Sequence, residues 1–293
     1  MEEGWCFQIR LIIFNGNHKL DISHDIIYFD YHDVQERGVD TVVEEIKKFK
    51  PDLIIEEEKN DGLSLYSDIY KKLPKIPKAW WNIDSHTNLI NHVVYSKQFD
   101  YVFCGQSWFI PIIEREVKGK VFFLPLSHTQ TMTEYQEMLN TPLVRKDIDL
   151  SFIGNIRTIH VEREHYVRHF LEMLGDKFFA RMSDYQSSLG YLRRSKMTLN
   201  CSLNNDMNFR VWEGIACGTL VLTDDVTDID KIKDLRKYLL VYDKLNPDWT
   251  VMQKIVMFNP QDREAFAKSH TLTHRYLQIL EMIETGEQHD YSK

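Results

Sequence analysis

Short apolar runs alternate with stretches whose apolar residues recur every three to four positions, almost from one end of the chain to the other. The runs Phe7–Phe14, Asp25–Phe29, Leu53–Ile55, Ala79–Ile83, Tyr101–Gly105 and Val121–Leu126 predict strands. They are continuous rather than alternating, which marks strands covered on both faces. Between them, helical spacing predicts helices at Val39–Phe49, Leu63–Leu73, Thr87–Tyr95 and Trp108–Val117. Strand-helix alternation of this kind implies an α/β chain with a parallel, doubly wound sheet.

A second series begins after Pro142. Strands are predicted at Ile148–Ile153, Phe178–Ala180, Met197–Cys201, Leu220–Thr223 and Leu239–Tyr242. Helices are predicted at His160–Leu174, Tyr185–Arg194 and the stretch before Gly218, and a long helical stretch, Arg263–Glu284, ends the chain. The polar segment Ser127–Asp147 reads as a linker. The organisation is therefore two domains, 1–142 and 143–262, with a terminal helical segment, 263–293. Two doubly wound domains place the carboxyl ends of their strands around a shared cleft, where ligands of such sheets bind.

Composition narrows the class. The 293 residues are 43% hydrophobic and 27% charged, which is globular composition. A net charge of -8 and a pI near 5.8 disfavour a general nucleic-acid or anionic-membrane binder. Cys6, Cys104, Cys201 and Cys217 have no metal-ligand spacing and read as free thiols, most of them buried, in a reducing compartment. The start Met-Glu-Glu-Gly-Trp lacks the basic and apolar parts of a signal peptide, and no apolar stretch is long enough to span a bilayer. The expectation is a cytoplasmic protein without a membrane span, a cofactor or a bound metal.

The candidate chemistry is concentrated in Asn208-Phe-Arg-Val-Trp-Glu-Gly-Ile-Ala-Cys-Gly-Thr-Leu-Val-Leu-Thr-Asp224. It reads as polar loop, short helix, glycine stop and buried strand. Arg210 and Glu213 are three residues apart and share one helix face. At a helix start, a cation and the helix dipole suit phosphate, and a carboxylate suits ribose hydroxyls. The competing reading is an ordinary i,i+3 surface pair followed by a helix cap.

This stretch resembles the R-x-x-E-x-x-A-C-G signature of GT-B glycosyltransferases, particularly the CgeB-like (spore maturation protein) group. Ile148-Asp-Leu-Ser-Phe-Ile-Gly-Asn155 is similar to the strand and glycine loop that open the second domain of that family. Trp80-Trp-Asn-Ile-Asp-Ser85 is similar to its first-domain strand-end motif, and Ser269-His-Thr-Leu-Thr-His-Arg275 to its terminal-helix motif. The resemblance implies two Rossmann-like doubly wound domains facing a central cleft, with the terminal helix packing back toward the first. It also implies a nucleotide-sugar donor held by the second domain and an acceptor site largely on the first. Carried over, Arg210 neutralises the leaving diphosphate, Glu213 binds the donor ribose, and Gly154 lets the backbone approach the phosphates. The donor set that follows is Gly154, Asn155, Arg157, Asn205, Asn208, Phe209, Arg210 and Glu213. One departure stands out: Asn205 occupies a position where many retaining enzymes of this fold carry a second glutamate, so the stereochemistry is open.

Other groups carry two readings each. Asp84 and His86 follow a strand, where either suits a general base on an acceptor hydroxyl; alternatively, Asp84 or Ser85 caps the helix that follows. Asn15, Gly16, Asn17 and His18 face the transferred sugar, or form an Asn-Gly turn. Arg157 is best placed for the diphosphate, whereas Arg163 and Arg168 read as a solvated helix face. Glu56, Glu57 and Glu58 read mainly as surface. Tryptophans are expected in the core, with Trp108 the exception as a sugar platform. The resulting expectation is a metal-independent transferase acting on a nucleoside-diphosphate sugar, with Arg210, Asp84 and His18 as catalytic groups. The acceptor stays open among polysaccharide, protein, small molecule and modified DNA. The alternatives are a transferase acting on hydroxymethylated pyrimidine in DNA and a non-catalytic nucleotide-sugar binder.

Overall fold

The computed structural model describes residues 8–16, 18–58, 63–84, 88–142, 145–156, 161–245, 250, 252 and 260–293. The chain forms two compact units. The first comprises Met1–Pro125 with Tyr276–His289, and the second Leu126–Arg275 with Asp290–Lys293.

The first unit is built on six parallel strands: β1 (Arg10–Phe14), β2 (Asp25–Phe29), β3 (Leu53–Glu57), β4 (Lys78–Asn82), β5 (Tyr101–Cys104) and β6 (Lys120–Phe123). Their order is β2-β1-β3-β4-β5-β6. Leu11, Ile12, Ile13 and Phe14 are all fully buried, as a strand covered on both faces requires. Each such side chain contributes about 1.5–3 kcal/mol by leaving water. On one side, α1 (Tyr31–Arg37), α2 (Val39–Phe49) and α3 (Leu63–Lys72) carry Val34, Val42, Ile46 and Ile69 onto Ile12, Phe14 and Ile54. A second cluster joins Trp80, Val102 and Cys104 to α4 (Leu89–Ser96) and α5 (Ile110–Ile113) through Tyr95 and Ile113. The open edge at β6 is covered by Gln288, whose carboxamide accepts from Phe123 N (2.7 Å) and donates to Phe123 O (2.9 Å).

The second unit starts with α6 (Met132–Asn140). Five parallel strands follow: β7 (Ile148–Ile153), β8 (Phe178–Arg181), β9 (Ser195–Asn200), β10 (Leu220–Asp224) and β11 (Leu239–Tyr242). Their order is β11-β10-β9-β7-β8. Between them lie α7 (Val161–Leu174), α8 (Tyr185–Arg194) and α9 (Phe209–Ala216); α10 (Pro260–Lys268) and α11 (Leu272–Thr285) close the chain. Gly214 is what lets α9 lie flat on the sheet. A Cβ there would stand 2.7 Å from Val221 Cγ2 and 3.0 Å from Thr198 Cγ2.

Both sheets thus share one order. The first two strands lie on one side of a parting and the remainder on the other, so each sheet has a topological switch point: β1/β3 in the first unit and β7/β9 in the second.

The structure corrects several sequence expectations. The segment Ser127–Asp147, expected as linker, contains α6, started by a capping box between Thr131 and Glu134. The helix α1 carries no apolar period, and a second capping box, Asp30 with Asp33, sets its start. The terminal stretch is two helices, because Thr271 Oγ1 accepts from His274 N and starts α11 afresh. The helix expected from Thr87 begins at Leu89 with Asn88 as N-cap. The one expected from Trp108 to Val117 is a 3-10 turn, Ser107–Phe109, running into α5. Among the described residues no helix is long and apolar enough to cross a membrane.

Candidate functional site

The switch point of the second unit is occupied by a guanidinium. Arg210, on the first turn of α9, extends to the carboxyl ends of the two parting strands. Its Nε donates to Ile153 O of β7 (2.7 Å) and its Nη1 to Asn200 Oδ1 of β9 (3.2 Å). Asn200 is turned for this by Thr223, which accepts from its Nδ2 at 3.0 Å. The guanidinium carbon lies 4.6 Å from the centre of the Phe152 ring, a cation–π contact of about 0.5–2 kcal/mol. Gly154 makes the room. Its φ is +153°, and any Cβ at this position would fall on Arg210 Nη2. The expectation that Gly154 admits a phosphate to the backbone therefore acquires a nearer reason in the protein itself.

A second cation stands beside the first. Arg163, on α7, is buried, places its guanidinium carbon 5.9 Å from the same Phe152 ring, and donates through Nη1 to Asn155 O at 3.3 Å. Its Nε is buried without a hydrogen-bond partner among the described residues. Burial lowers the proton affinity of both arginines, that of Arg210 to about 10, and Arg163 lowers Arg210 further by like-charge repulsion. Among the described residues no carboxylate forms an ion pair with either one. Glu213 and Asp206 act on these cations only through space, and two neighbouring cations, one buried and one half-buried, without an ion-pair partner among the described residues suit an anion. This corrects the reading of Arg163 as a solvated face. The signal was present in the sequence: Arg163 shares the apolar phase of α7 with Tyr166, Val167 and Phe170 at i+3, i+4 and i+7. Arg168, off that phase, is exposed and pairs with Glu164.

The other donor candidates divide. Asn208 caps α9, accepting from Arg210 N at 3.0 Å, so one first-turn amide is already engaged. Phe209 is half-buried beside it, and Asn155 is exposed. Glu213, one turn along α9, forms no ion pair with Arg210. Burial raises its carboxyl above the usual range, Arg210 pulls it down, and Thr129 Oγ1 donates to it at 3.4 Å. The i,i+3 surface pair is therefore not what forms. Asn205, at φ +65°, spends its carboxamide on Thr227, whose N donates to Oδ1 and whose Oγ1 accepts from Nδ2, both at 2.9 Å. Arg157, Asn17 and His86 lie outside the described residues.

In the first unit, Asn15 closes the switch point. Its side chain is fully buried, donating to Glu57 O (3.1 Å) and accepting from the Tyr66 hydroxyl (2.6 Å). Gly16 follows, half-buried, where a Cβ would press on Ile13 Cγ2 at 2.8 Å. His18 is half-buried. Trp108 is half-buried against Phe109 and the core cluster around Trp80. Trp80, Trp81 and Trp212 are fully buried, as expected. Asp84 lies just past β4, and burial first, then Glu58, raises its carboxyl to about 6.

The three glutamates at the end of β3 are not surface residues. Glu56, Glu57 and Glu58 are 0%, 8% and 6% exposed. Glu56 takes hydroxyls from Tyr70 and Tyr95, and burial pushes it up to about 8. Glu57 accepts from the Tyr276 hydroxyl at 3.2 Å. The physical reason is position: these residues extend a strand covered on both faces, so their side chains enter the layers on either side instead of water. Among the described residues no three His, Cys, Asp or Glu side chains are grouped as metal ligands.

Residues 141–281, just under half of the chain, match the glycosyl transferase-like family model. No curated protein matches the chain in sequence. Among solved structures, the chain is similar to an alpha-glucosyltransferase in complex with UDP and a 13-mer DNA containing an HMU base. There the TM-score is 0.65 and the identity 9%, over 95% of this chain and 100% of the other. It is also similar to HepE of Anabaena in complex with UDP and glucose (TM-score 0.58, 11% identity, 95% and 100% covered). A third is UDP-GlcNAc 2-epimerase of Methanocaldococcus jannaschii (0.51, 11%, 96% and 100%). At such identities likeness establishes fold alone, and the epimerase illustrates that this fold hosts other reactions. The fold is GT-B: two Rossmann-like α/β units, each on a parallel sheet. The matched stretch is thus a glycosyl transferase-like domain, and the likeness of the chain as a whole is one of fold.

Proposed function

We propose that this protein transfers a sugar from a nucleoside-diphosphate donor, bound by the second unit, to a hydroxyl acceptor. One observation carries the reading: the half-buried Arg210 and the buried Arg163 stand together at the β7/β9 switch point, and among the described residues neither forms an ion pair with a carboxylate. In this reading the diphosphate lies against both cations, with the dipole of α9 adding positive potential. Glu213 takes the ribose hydroxyls. In the transfer, the acceptor oxygen bonds to the anomeric carbon. The bond from that carbon to the diphosphate oxygen breaks, and its electron pair leaves with the diphosphate. The arginines stabilise that departing charge in place, and no metal is required. Asp84, acting as base, takes the acceptor proton. The acceptor groups assigned to the first unit, His18 and Trp108 among them, belong to the same proposal. The likeness of the Arg210–Glu213 stretch and of the Ile148–Asn155 loop extends the reading to the CgeB-like group.

A thermal-shift panel of UDP, GDP, dTDP and their sugars tests the donor. Ligand that binds only the folded state raises the melting temperature by mass action. The expected result is a shift for one nucleotide and its sugar. The absence of any shift, with no release of nucleoside diphosphate, would overturn the reading; a shift without any release would make the protein a non-catalytic binder.

A second reading of the acceptor has one observation in its favour. The alpha-glucosyltransferase to which the fold is similar was solved with DNA containing an HMU base. DNA as acceptor would make turnover fall steeply with salt, because phosphate contacts release counter-ions. Salt-independent turnover on a sugar acceptor decides against it, and the net charge of -8 favours that outcome.

A further inference from the structure

A buried acid–histidine pair lies directly behind Asp84. The Glu58 side chain is 1% exposed and that of His92, on the first turn of α4, is 0% exposed; His92 Nε2 lies 2.9 Å from Glu58 Oε1. The contact is ionic in distance, but off the line that a hydrogen bond prefers, and His92 Nδ1 has no hydrogen-bond partner among the described residues. The other carboxylate oxygen, Glu58 Oε2, receives two successive backbone N–H groups, from Ile83 (2.6 Å) and Asp84 (2.8 Å). Trp80 closes over the histidine edge-on, ring centres 5.6 Å apart.

As a device for stability this arrangement is poor. A buried ion pair gains little over well-packed apolar side chains of the same volume. What it does uniquely is hold one peptide. Glu58 reaches from the end of β3 to the end of β4 and fixes the backbone that carries Asp84.

We infer that Glu58 and His92 are positioning residues for Asp84: the Glu58 carboxylate clamps the Ile83–Asp84 peptide, His92 holds Glu58, and Asp84 is thereby presented at the carboxyl edge of the sheet to take the proton of the acceptor hydroxyl. The inference rests on the transferase reading. The step balances: the acceptor O–H proton passes to Asp84 while its oxygen bonds to the anomeric carbon and the diphosphate leaves with the electron pair. The titratable groups bearing on the pair are Glu56 on β3, Asp84 after β4, His92 on α4 and Cys104 on β5. The negative charge of Glu58 favours the protonated form of Asp84 and His92 opposes it. Asp84 acts as a base only when ionised, so activity declines as pH falls through about 6.

The test uses the full-length protein and the panel sugar that gives the largest thermal shift among UDP-glucose, UDP-N-acetylglucosamine, GDP-mannose and dTDP-glucose. Release of nucleoside diphosphate is followed with water as acceptor across pH 5–9. Asp84→Asn should lower kcat by about 10²–10⁴-fold with donor KM unchanged. Glu58→Gln keeps an acceptor for the peptide and removes the charge. It should lower kcat roughly tenfold and move the acidic limb down by about half a pH unit. Amide exchange at Ile83 and Asp84 should quicken in Glu58→Gln and in His92→Gln, a reading independent of turnover. A purely structural clamp would quicken exchange and lower the melting temperature yet leave the acidic limb in place, and that result overturns the inference. So does full kcat in Asp84→Asn, while the wild-type donor shift leaves the transferase reading standing. No donor shift and no turnover in the wild type would remove both.

Discussion

Replacing Arg210 with alanine should separate the cost of the site from its use. In the free protein the cation is held where burial lowers its proton affinity to about 10 from 12.5, so keeping it charged costs about 3 kcal/mol. Its two hydrogen bonds, to Ile153 O and Asn200 Oδ1, return about 1.5–3 kcal/mol each. Removal loses the second quantity and regains the first, so the net loss should be about 0–3 kcal/mol. That is a shift of roughly 6–12 °C at most for a unit of this size. Donor binding should suffer far more. A nucleoside diphosphate at about 100 times its Kd stabilises the wild type by about 2.7 kcal/mol. A variant binding about 100-fold more weakly would gain about 0.4 kcal/mol at the same concentration. Turnover should fall by about 10²–10³ from lost stabilisation of the leaving group. Differential scanning fluorimetry with and without nucleotide, together with nucleoside-diphosphate release, reads all three quantities. An intact nucleotide shift in Arg210→Ala, or a melting point more than about 12 °C lower, would show that the guanidinium is a structural brace and refute the reasoning.

Three further outcomes follow from the same geometry. Gly154→Ala should reproduce the donor-binding loss of Arg210→Ala without touching the arginine, because its Cβ takes the place of Nη2; unchanged nucleotide binding would contradict the packing described. Arg163→Met, which keeps the buried stem and removes the charge, should weaken nucleotide binding about tenfold or more while leaving the melting point equal or higher, since a like charge beside Arg210 is gone; calorimetric titration measures it. Glu56→Gln should change the pH dependence of stability. The folded carboxyl holds its proton to about pH 8 against a usual 4.5, so this group's contribution to stability is full below pH 4.5 and is lost as pH rises to 8, by up to about 5 kcal/mol. The variant should lack that decline in urea unfolding, and parallel curves would disprove a neutral Glu56.

Much of the architecture was legible because it rests on period. Runs such as Leu11–Phe14 admit no solvent face, and α2 and α8 appear at their expected bounds. The helices α1 and α6 were illegible by that measure, since each buries one residue only, Val34 and Tyr135. Their capping pairs Asp30/Asp33 and Thr131/Glu134 were the available sign. The sequence placed Arg210 and Glu213 on one helix face. It did not say that the guanidinium would turn away from Glu213 to atoms 57 and 10 residues distant. Such direction is set by the strand order, which no local pattern encodes. The same holds for Glu58, whose role depends on Ile83, Asp84 and His92 meeting it across two strands and a helix. Asn205 illustrates the converse: a plausible sugar contact by position is engaged as a loop fastener to Thr227.

The division of the chain also bears on the order of its synthesis. The first unit includes Tyr276–His289, which supplies Tyr276 to Glu57 and Gln288 to the edge strand β6. These residues leave the ribosome about 150 residues after Pro125, or roughly 8–30 s later at ~5–20 residues per second. The unit written first is therefore completed only after nearly all of the second has been made. Throughout that interval β6 waits with its edge unpaired and Glu57 waits for its tyrosine, so a nascent chain stalled before the final helix would display an open parallel sheet to whatever chaperone attends it.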